Sequence, residues 1–193
     1  MQALRFDRHL YFPLLCLREK DDWGNKILVD VNTREPLVKV SPVPLNAGER
    51  TFVEYVRKYY LAHKEDVLAG KDVYLLRNES RKGIGFFEAN NFYPDFILWV
   101  NDGKMQRVSF IDPKGIRNLR GLSDPKIQLF HLLKKEVEPV LRDDSIRLDS
   151  FIISNTPYRE VSFWGEMPDF TRNHVLFQTE EDFMDKLFGQ LLS

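Results

Sequence analysis

The sequence predicts a mixed α/β domain in which helices flank a central sheet, with a β-rich extension before it. Two observations lead to this fold class. Apolar residues recur at helical spacing in three separate stretches, and between these stretches lie short apolar runs that are typical of strands. The 193 residues, of which 43% are hydrophobic, are enough to bury a core of this kind. We therefore divide the chain into an N-terminal extension, residues 1–45, and a domain, residues 46–193.

The extension contains apolar-rich stretches separated by turn-forming residues. Its C-terminal part carries Pro36, Pro42 and Pro44, which restrict strands here to sheet edges because proline cannot donate a ladder hydrogen bond. The extension has too few strands to fold alone, so we expect it to pack on the domain that follows or on a partner.

A capping box predicts the start of the first helix. Asn46 is a favourable N-cap, and Glu49 lies three residues later, where its side chain can reach back to the backbone of Asn46. Gly70 is expected to end this helix. Its apolar stripe consists of Phe52, Val53, Val56 and Tyr60.

Four short apolar runs follow and are predicted to be strands. The Asp102-Gly103 pair between the last two runs is a strong signal for a tight β-hairpin. The runs are Val73–Arg77, Gly85–Glu88, Pro94–Val100 and Arg107–Lys114.

The second half of the domain is predicted to contain a helix, a strand and a last helix. Asp124 is a favourable N-cap followed by proline at the first helical position, and we expect Pro139 to end the helix that begins there. A strand over Ile146–Ser154 and an amphipathic helix from Thr179 or Glu180 complete the chain.

The overall composition excludes several classes of protein. Lys and Arg number 28 and Asp and Glu 29, so the formal net charge of -1 excludes a disordered polyelectrolyte and a strongly basic tail. The longest apolar run, Leu10–Leu17, is too short for a membrane helix, is interrupted by Pro13, and is followed by no signal-peptide cleavage site. The single cysteine, Cys16, cannot form an internal disulfide. These features predict a cytoplasmic protein with no membrane partner.

Two acids and a lysine lie around the predicted hairpin. Asp95 is near the start of the third run, and Asp112 and Lys114 end the fourth. If the loop has two residues, Asp95 lies opposite Phe110, and Asp112 is its diagonal neighbour. All three charged side chains then project from one face of the hairpin, whereas a loop of three residues would reverse this parity.

Converging carboxylates favour a hard divalent cation. Asp95 and Asp112 would repel each other unless one is protonated or a cation joins them. Because the ligands here are oxygens and no Cys or clustered His is nearby, we expect Mg²⁺ or Mn²⁺ rather than Zn²⁺. Lys114 can orient or activate a water molecule and neutralise charge that develops on a phosphate. Glu88, seven residues before Asp95, is a candidate further acid of this site. Together these residues predict metal-assisted hydrolysis of a phosphodiester bond.

The motif Pro94-Asp95 followed by Asp112-Pro113-Lys114 resembles the signature of the PD-(D/E)XK nuclease superfamily. The longer blocks GFFEANNFYPDFILWV (residues 85–100) and FIDPKGIRN (residues 110–118) resemble the C-terminal nuclease domain of DEAD/DEAH-box helicases of the type III restriction (Res subunit) kind. The segments DRHLYFPLL and PLNAGERTFV, which begin at Asp7 and Pro44, resemble what precedes that domain. This resemblance implies a restriction-endonuclease-like fold with an αβββαβ core.

The resemblance also implies roles for individual residues. Asp95 and Asp112 would bind the metal, with Lys114 as the catalytic lysine. Glu49 matches an acid that often joins the metal site in this superfamily. Gln128 matches a glutamine on the following helix in the RecB-like branch, where it would lie in or beside the site.

Pro113 stands between the second acid and the lysine, a position whose backbone carbonyl often binds the metal in this superfamily. Proline keeps that carbonyl, so the role is compatible with the sequence. Its missing N–H requires that this end of the strand be an edge or a bulge.

The activity implied is that of a Mg²⁺-dependent endonuclease, the DNA-cleaving module of a helicase-coupled restriction or phage-defence system. The chain has no GxxxxGK[ST] loop, so the ATPase would belong to a partner helicase or translocase. A homodimer of this chain also stays open.

Basic residues cluster around the predicted site. Six of them, against two acids, lie between Lys104 and Lys126, and a second cluster precedes Gly85. Such clusters can hold a phosphate backbone without reading bases, so neutral net charge does not exclude DNA. The candidate DNA-binding residues are Arg77, Arg81, Lys82, Arg117, Arg120 and Lys126.

Two alternatives to a DNA nuclease stay open. The chain could be a non-catalytic DNA-binding or protein-interaction module that retains the nuclease fold, although a degenerate module has no need of both acids and the lysine. It could also cleave RNA, because no feature of the sequence distinguishes the two sugars.

Overall fold

The computed structural model describes residues 2–4, 45–78, 83–86, 89 and 91–193, with the backbone alone for residues 2–4. Most of the predicted extension therefore lies outside the described residues. Within the described part, no helix is long and apolar enough to cross a membrane. The strands and helices are β1 (Gln2–Leu4), α1 (Ala47–His63), β2 (Asp72–Arg77), β3 (Phe96–Asn101), β4 (Gln106–Lys114), α2 (Leu129–Leu132, Leu133–Val137 and Glu138–Leu141), β5 (Ile146–Ser154), α3 (Met167–Arg172), β6 (Val175–Phe177) and α4 (Phe183–Leu192).

The described strands form one six-stranded mixed sheet in which each strand lies beside the next strand in the chain. β1 to β4 pair antiparallel, whereas β5 pairs parallel with β4 and β6 pairs parallel with β5. Parallel neighbours need a crossover connection, and α2 and α3 lie in these two connections. The predicted class, an α/β protein with a mixed sheet flanked by helices, is confirmed.

Two apolar cores cover the two faces of the sheet. Phe52 of α1 and Leu187 of α4 are fully buried in the same core as Leu98 of β3. Burial of each such side chain contributes about 1.5–3 kcal/mol, which holds the helices against the sheet. The core on the other face includes Ile97, Phe110, Leu133 and Phe170.

The start of α1 agrees with the predicted capping box. The Glu49 N–H donates to Asn46 Oδ1 at 3.0 Å, and the Asn46 N–H donates to Glu49 Oε2 at 3.2 Å. The helix ends at His63 rather than at Gly70. The carboxylate of Asp66 accepts a hydrogen bond from the next backbone N–H, which competes with continued helix, and Gly70 closes the following turns at a φ of +70°.

The β3–β4 hairpin has the predicted face but a different register. Its loop contains four residues, because Asp102 Oδ1 accepts hydrogen bonds from the N–H groups of Lys104 and Met105 at 2.9 and 2.7 Å. Phe96 pairs with Ile111, so the predicted pairing of Asp95 with Phe110 is wrong by two residues. Because side chains alternate between the two faces of a strand, a shift of two residues leaves Asp95 and Asp112 on the same face of the hairpin.

The prediction that a helix begins after Asp124 is wrong, because residues 125–128 form turns and the helix begins at Leu129. The Asp124 carboxylate accepts hydrogen bonds from the N–H groups of Arg120 and Lys126, both at 3.0 Å. The regular helix then continues through Pro139 to Leu141, so the expectation that Pro139 ends it is wrong. The π-helical segment just before Pro139 widens the turn, which accommodates a ring that would otherwise clash with the carbonyl four residues earlier.

Two other predicted elements differ. In place of a strand over 85–88, the described residues show one isolated bridge between Phe86 and Phe92, and residues 87–88 lie outside the described part. The last helix begins at Phe183, because the N–H groups of Glu180 and Phe183 form tight turns with carbonyls three residues earlier.

Candidate active site

Asp95 and Asp112 meet at the end of the sheet where β3 begins and β4 ends. Continuing the β3–β4 register by one residue places them opposite each other. The Asp112 side chain is only 6% exposed, and the two carboxyl groups are close enough that a hydrogen bond between them is among the causes that raise the pKa of Asp95. The convergence expected from the sequence is therefore present.

The environment of Asp95 favours its neutral form. Burial is the largest cause, followed by the negative charge of Asp112 and the hydrogen bond to it, and together they raise the pKa of Asp95 to about 8. The charge of Glu49 acts in the same direction, whereas Lys114 lowers the pKa. The pair thus holds less than its full negative charge when no cation is bound.

The backbone before Asp95 is fixed by a buried amide that sequence reasoning missed. Asn78 follows β2, and its Nδ2 donates to the carbonyls of Pro94 at 2.8 Å and Ile84 at 2.7 Å. Its own N–H donates to the Asp95 carbonyl at 2.8 Å. Asn78 therefore clamps the Pro94-Asp95 step beside the end of β4.

Lys114 is held between a carboxylate and an aromatic ring. Its Nζ forms an ion pair with Asp112 Oδ2 and lies 4.9 Å from the centre of the Phe92 ring. Lys126 Nζ lies 5.7 Å from the centre of the same ring. Phe92 gave no signal in the sequence beyond being apolar, yet it gathers two ammonium groups beside the acid pair.

Glu49 lies near the acids but is occupied by other contacts. Its side chain is 12% exposed, caps α1, and has Oε2 at 3.6 Å from Arg77 Nη2. Burial raises the pKa of Glu49, Arg77 offsets part of this, and the charge of Asp112 raises it further. Glu49 is therefore within electrostatic range of the acid pair.

The described residues contain no group of three or more His, Cys, Asp or Glu side chains placed to hold a metal ion. Glu49 is thus not gathered with Asp95 and Asp112 into one ligand set. Two carboxylates nevertheless fit Mg²⁺, which usually takes one or two from a protein and keeps several waters. Two acids of which one raises the pKa of the other are also an arrangement that a bound cation would relieve.

Pro113 keeps a backbone carbonyl at this end of β4. The Asn155 N–H donates to the Lys114 carbonyl at 3.1 Å, so that carbonyl faces β5. Because backbone groups alternate along a strand, the peptide groups of Pro113 face the β3 side, beyond the last paired residue, Phe96. The missing N–H therefore costs no ladder hydrogen bond, and this strand end is locally an edge, as the sequence required.

The other predicted residues lie in different settings. Gln128 Nε2 donates to the Leu122 carbonyl at 2.7 Å and to Asn173 Oδ1 at 2.8 Å, and these bonds tie the loop before α2 to the end of α3. Arg117 forms an ion pair with Glu160, and Arg120 is exposed. Glu88, Arg81 and Lys82 lie outside the described residues.

Comparison with known proteins gives no assignment: no family model, curated protein or solved structure matches the chain.

Proposed function

We propose that this chain is a Mg²⁺- or Mn²⁺-dependent endonuclease of the PD-(D/E)XK type that hydrolyses DNA phosphodiester bonds. In this proposal the sheet is the central sheet of a restriction-endonuclease-like fold. The chain acts as the cleavage module of a helicase-coupled restriction or phage-defence system in the cytoplasm.

One observation carries the proposal. Asp95, Asp112 and Lys114 come together at one end of the sheet, with the two acids in hydrogen-bond contact and the lysine paired to one of them. Two acids that repel each other contribute little to folding, since separating or neutralising either would relieve the repulsion. A role in binding a cation and a phosphate gives this arrangement a purpose.

Each residue has a distinct task in the proposed reaction. Asp95 and Asp112 offer the carboxylate oxygens and Pro113 its carbonyl to the cation. When bound, the cation supplies an activated water and polarises the phosphate. Lys114, kept in place by the Phe92 ring, stabilises the negative charge that develops on the phosphate oxygens.

The basic residues around the site supply contacts to the DNA backbone. Lys126 shares the Phe92 ring with Lys114 and is the nearest candidate, while Arg117 and Arg120 lie on the loop that follows β4. These contacts carry no sequence information and would be weakened by salt.

The test is cleavage of a supercoiled plasmid with Mg²⁺ or Mn²⁺ by the wild type and by Asp112→Ala and Lys114→Ala. Both variants should lose about a thousandfold in rate, because each removes a group that acts on the transition state. Asp182 and Lys186 form an exposed ion pair at 2.7 Å on α4, so Asp182→Ala and Lys186→Ala are matched controls that should cleave normally.

Binding of Mn²⁺, followed by electron paramagnetic resonance, separates the remaining outcomes. One outcome is that the wild type binds Mn²⁺ and still does not cleave, while Asp112→Ala loses Mn²⁺ binding. This result would indicate that a partner must be added. If the wild type shows no cleavage and binds no Mn²⁺, the nuclease would be rejected in favour of a non-catalytic module. Equal cleavage by wild type and both site variants would reject the assigned residues.

A further inference from the structure

A polar cavity opens near the acid pair, at the ends of β4 and β5. It has a volume of about 200 Å³ and is lined by Gly115, Arg117, Asn118, Asn155 and Thr156. Gly115 directly follows Lys114, so the cavity begins three residues beyond Asp112, or roughly 10 Å at the rise of a strand. None of the five lining residues is acidic.

The floor of this cavity is fixed by hydrogen bonds between the two strand ends. The Asn155 N–H donates to the Lys114 carbonyl at 3.1 Å, and the Ile116 N–H donates to Thr156 Oγ1 at 3.1 Å. Thr156 itself is 4% exposed, and its backbone is bonded to the Ser154 hydroxyl. The floor is therefore built by the fold.

Glycine at 115 keeps the cavity open. A Cβ at this position would lie 3.2 Å from Asn155 Oδ1 and 3.4 Å from Thr156 Oγ1, so any side chain would project among the polar groups of the floor. The absence of a side chain leaves room for a ligand next to Lys114.

The lining presents hydrogen-bond donors. Thr156 Oγ1 accepts from the backbone, so its hydroxyl hydrogen can be donated, and Asn118 and Asn155 each carry an amide NH₂. Arg117 turns Nε and Nη2 toward Glu160, which orients the guanidinium while part of its five donors stays available. A lining that offers hydrogen-bond donors and contains no carboxylate favours the binding of an anion.

We infer that this cavity is a subsite for a phosphate of the DNA strand a few nucleotides away from the scissile phosphate. For its ligand class the inference rests on the proposed function. Phosphates of one strand follow each other at roughly 3.4 Å along the duplex axis, so the cavity is a few nucleotides from the acid pair. The subsite sets the position of the strand, and the acid pair acts on the bond.

The experiment titrates inorganic phosphate, and then the dinucleotide TpT, into metal-free protein labelled with ¹⁵N. We expect concentration-dependent shifts of the Gly115 backbone amide and of the Asn118 and Asn155 side-chain amides. Asn155→Asp keeps the shape but places a negative charge in the cavity, and it should weaken binding about tenfold or more. Arg159→Gln, on the neighbouring turn and outside the cavity, is the matched control and should bind as wild type.

No shift at these amides in the wild type, or unchanged binding in Asn155→Asp, would overturn the inference. Because no metal is added, phosphate binding does not depend on the acid pair. If the protein binds phosphate but shows neither plasmid cleavage nor Mn²⁺ binding, the proposed nuclease is rejected and the anion site is kept. If Asn155→Asp cleaves an oligonucleotide with an unchanged KM, the subsite is rejected and the nuclease is kept. If its KM rises about tenfold at a similar kcat, both proposals are supported.

Discussion

Two aspartates on neighbouring strands, the buried Asp112 on β4 and the half-buried Asp149 on β5, have opposite surroundings. Asp149 lies between two nitrogen groups: His174 Nδ1 is 2.7 Å from one carboxylate oxygen, and Lys134 Nζ is 3.0 Å from the other. Asp112 has Lys114 on one side and a second acid, Asp95, on the other. Asp149 on β5 thus has nitrogen groups beside its carboxylate, whereas Asp112 on β4 also faces a second acid.

The difference lies in packing as well as in charge. The His174 ring stacks between Phe130 and Phe151, with centroids at 4.0 and 4.6 Å, so the Asp149 cluster is locked by packing as well as by charge. The Asp112 cluster is locked by Asn78 and Phe92 but keeps its repulsion. Neighbouring acids that the fold holds together despite their repulsion are typical of ligand-binding sites.

The largest expected effect is a stability difference between two identical substitutions. Asp149→Asn should lower the free energy of unfolding by about 2 kcal/mol, because it removes the carboxylate that lies between the stacked His174 imidazole and Lys134. Asp112→Asn should change it by about 1 kcal/mol at most, since loss of the ion pair with Lys114 is offset by relief of the repulsion with Asp95. Urea denaturation at pH 7 without metal measures both.

Similar losses in the two variants would break this comparison, because Asp112 would then be as much a structural residue as Asp149. Circular dichroism before denaturation serves as the control that both variants begin from the same fold.

The second prediction concerns pH. The folded-state pKa of Asp95 is raised to about 8, above the unfolded value near 4, so its neutral form stabilises the fold fully below about pH 4. That contribution is lost as pH rises toward 8. We expect metal-free wild type to lose about 2 kcal/mol between pH 5 and pH 8 relative to Asp95→Asn, which has no proton to lose there.

Added Mg²⁺ should reverse this trend, because the cation binds the ionised pair and stabilises the protein more at pH 8 than at pH 5. Urea denaturation at the two pH values, with and without Mg²⁺, measures both effects. Parallel stability curves for wild type and Asp95→Asn would show that the two acids do not interact as described.

Local signals in the sequence were sufficient for much of this fold. The capping box of α1 joins residues three apart, and the face shared by Asp95, Asp112 and Lys114 follows from strand alternation. The register was wrong because Asp102 caps two backbone N–H groups and thereby lengthens the loop to four residues. The choice between a two-residue and a four-residue loop depends on such side-chain bonds, which the Asp-Gly signal does not distinguish.

The supports of the site could not be predicted, because they act between residues distant in sequence. Asn78 bonds to the carbonyl of Pro94, and Thr156 bonds to the N–H of Ile116, 40 residues away. Phe92 approaches Lys126 only when the loop before α2 folds back over the sheet. A single asparagine or phenylalanine carries no sign of such a contact until the chain has folded.

The smallest expected effect separates the two lysines of the compared clusters. Lys134 is 48% exposed, so its pair with Asp149 is largely screened, and Lys134→Ala should cost only about 0.5 kcal/mol while cleavage stays normal. Lys114→Ala should abolish cleavage with a similarly small effect on stability. Urea denaturation and the plasmid assay on both variants measure this. A loss of more than about 2 kcal/mol in the free energy of unfolding of Lys134→Ala would contradict this prediction. Asp149 would then depend more on the exposed lysine than on the stacked His174 imidazole.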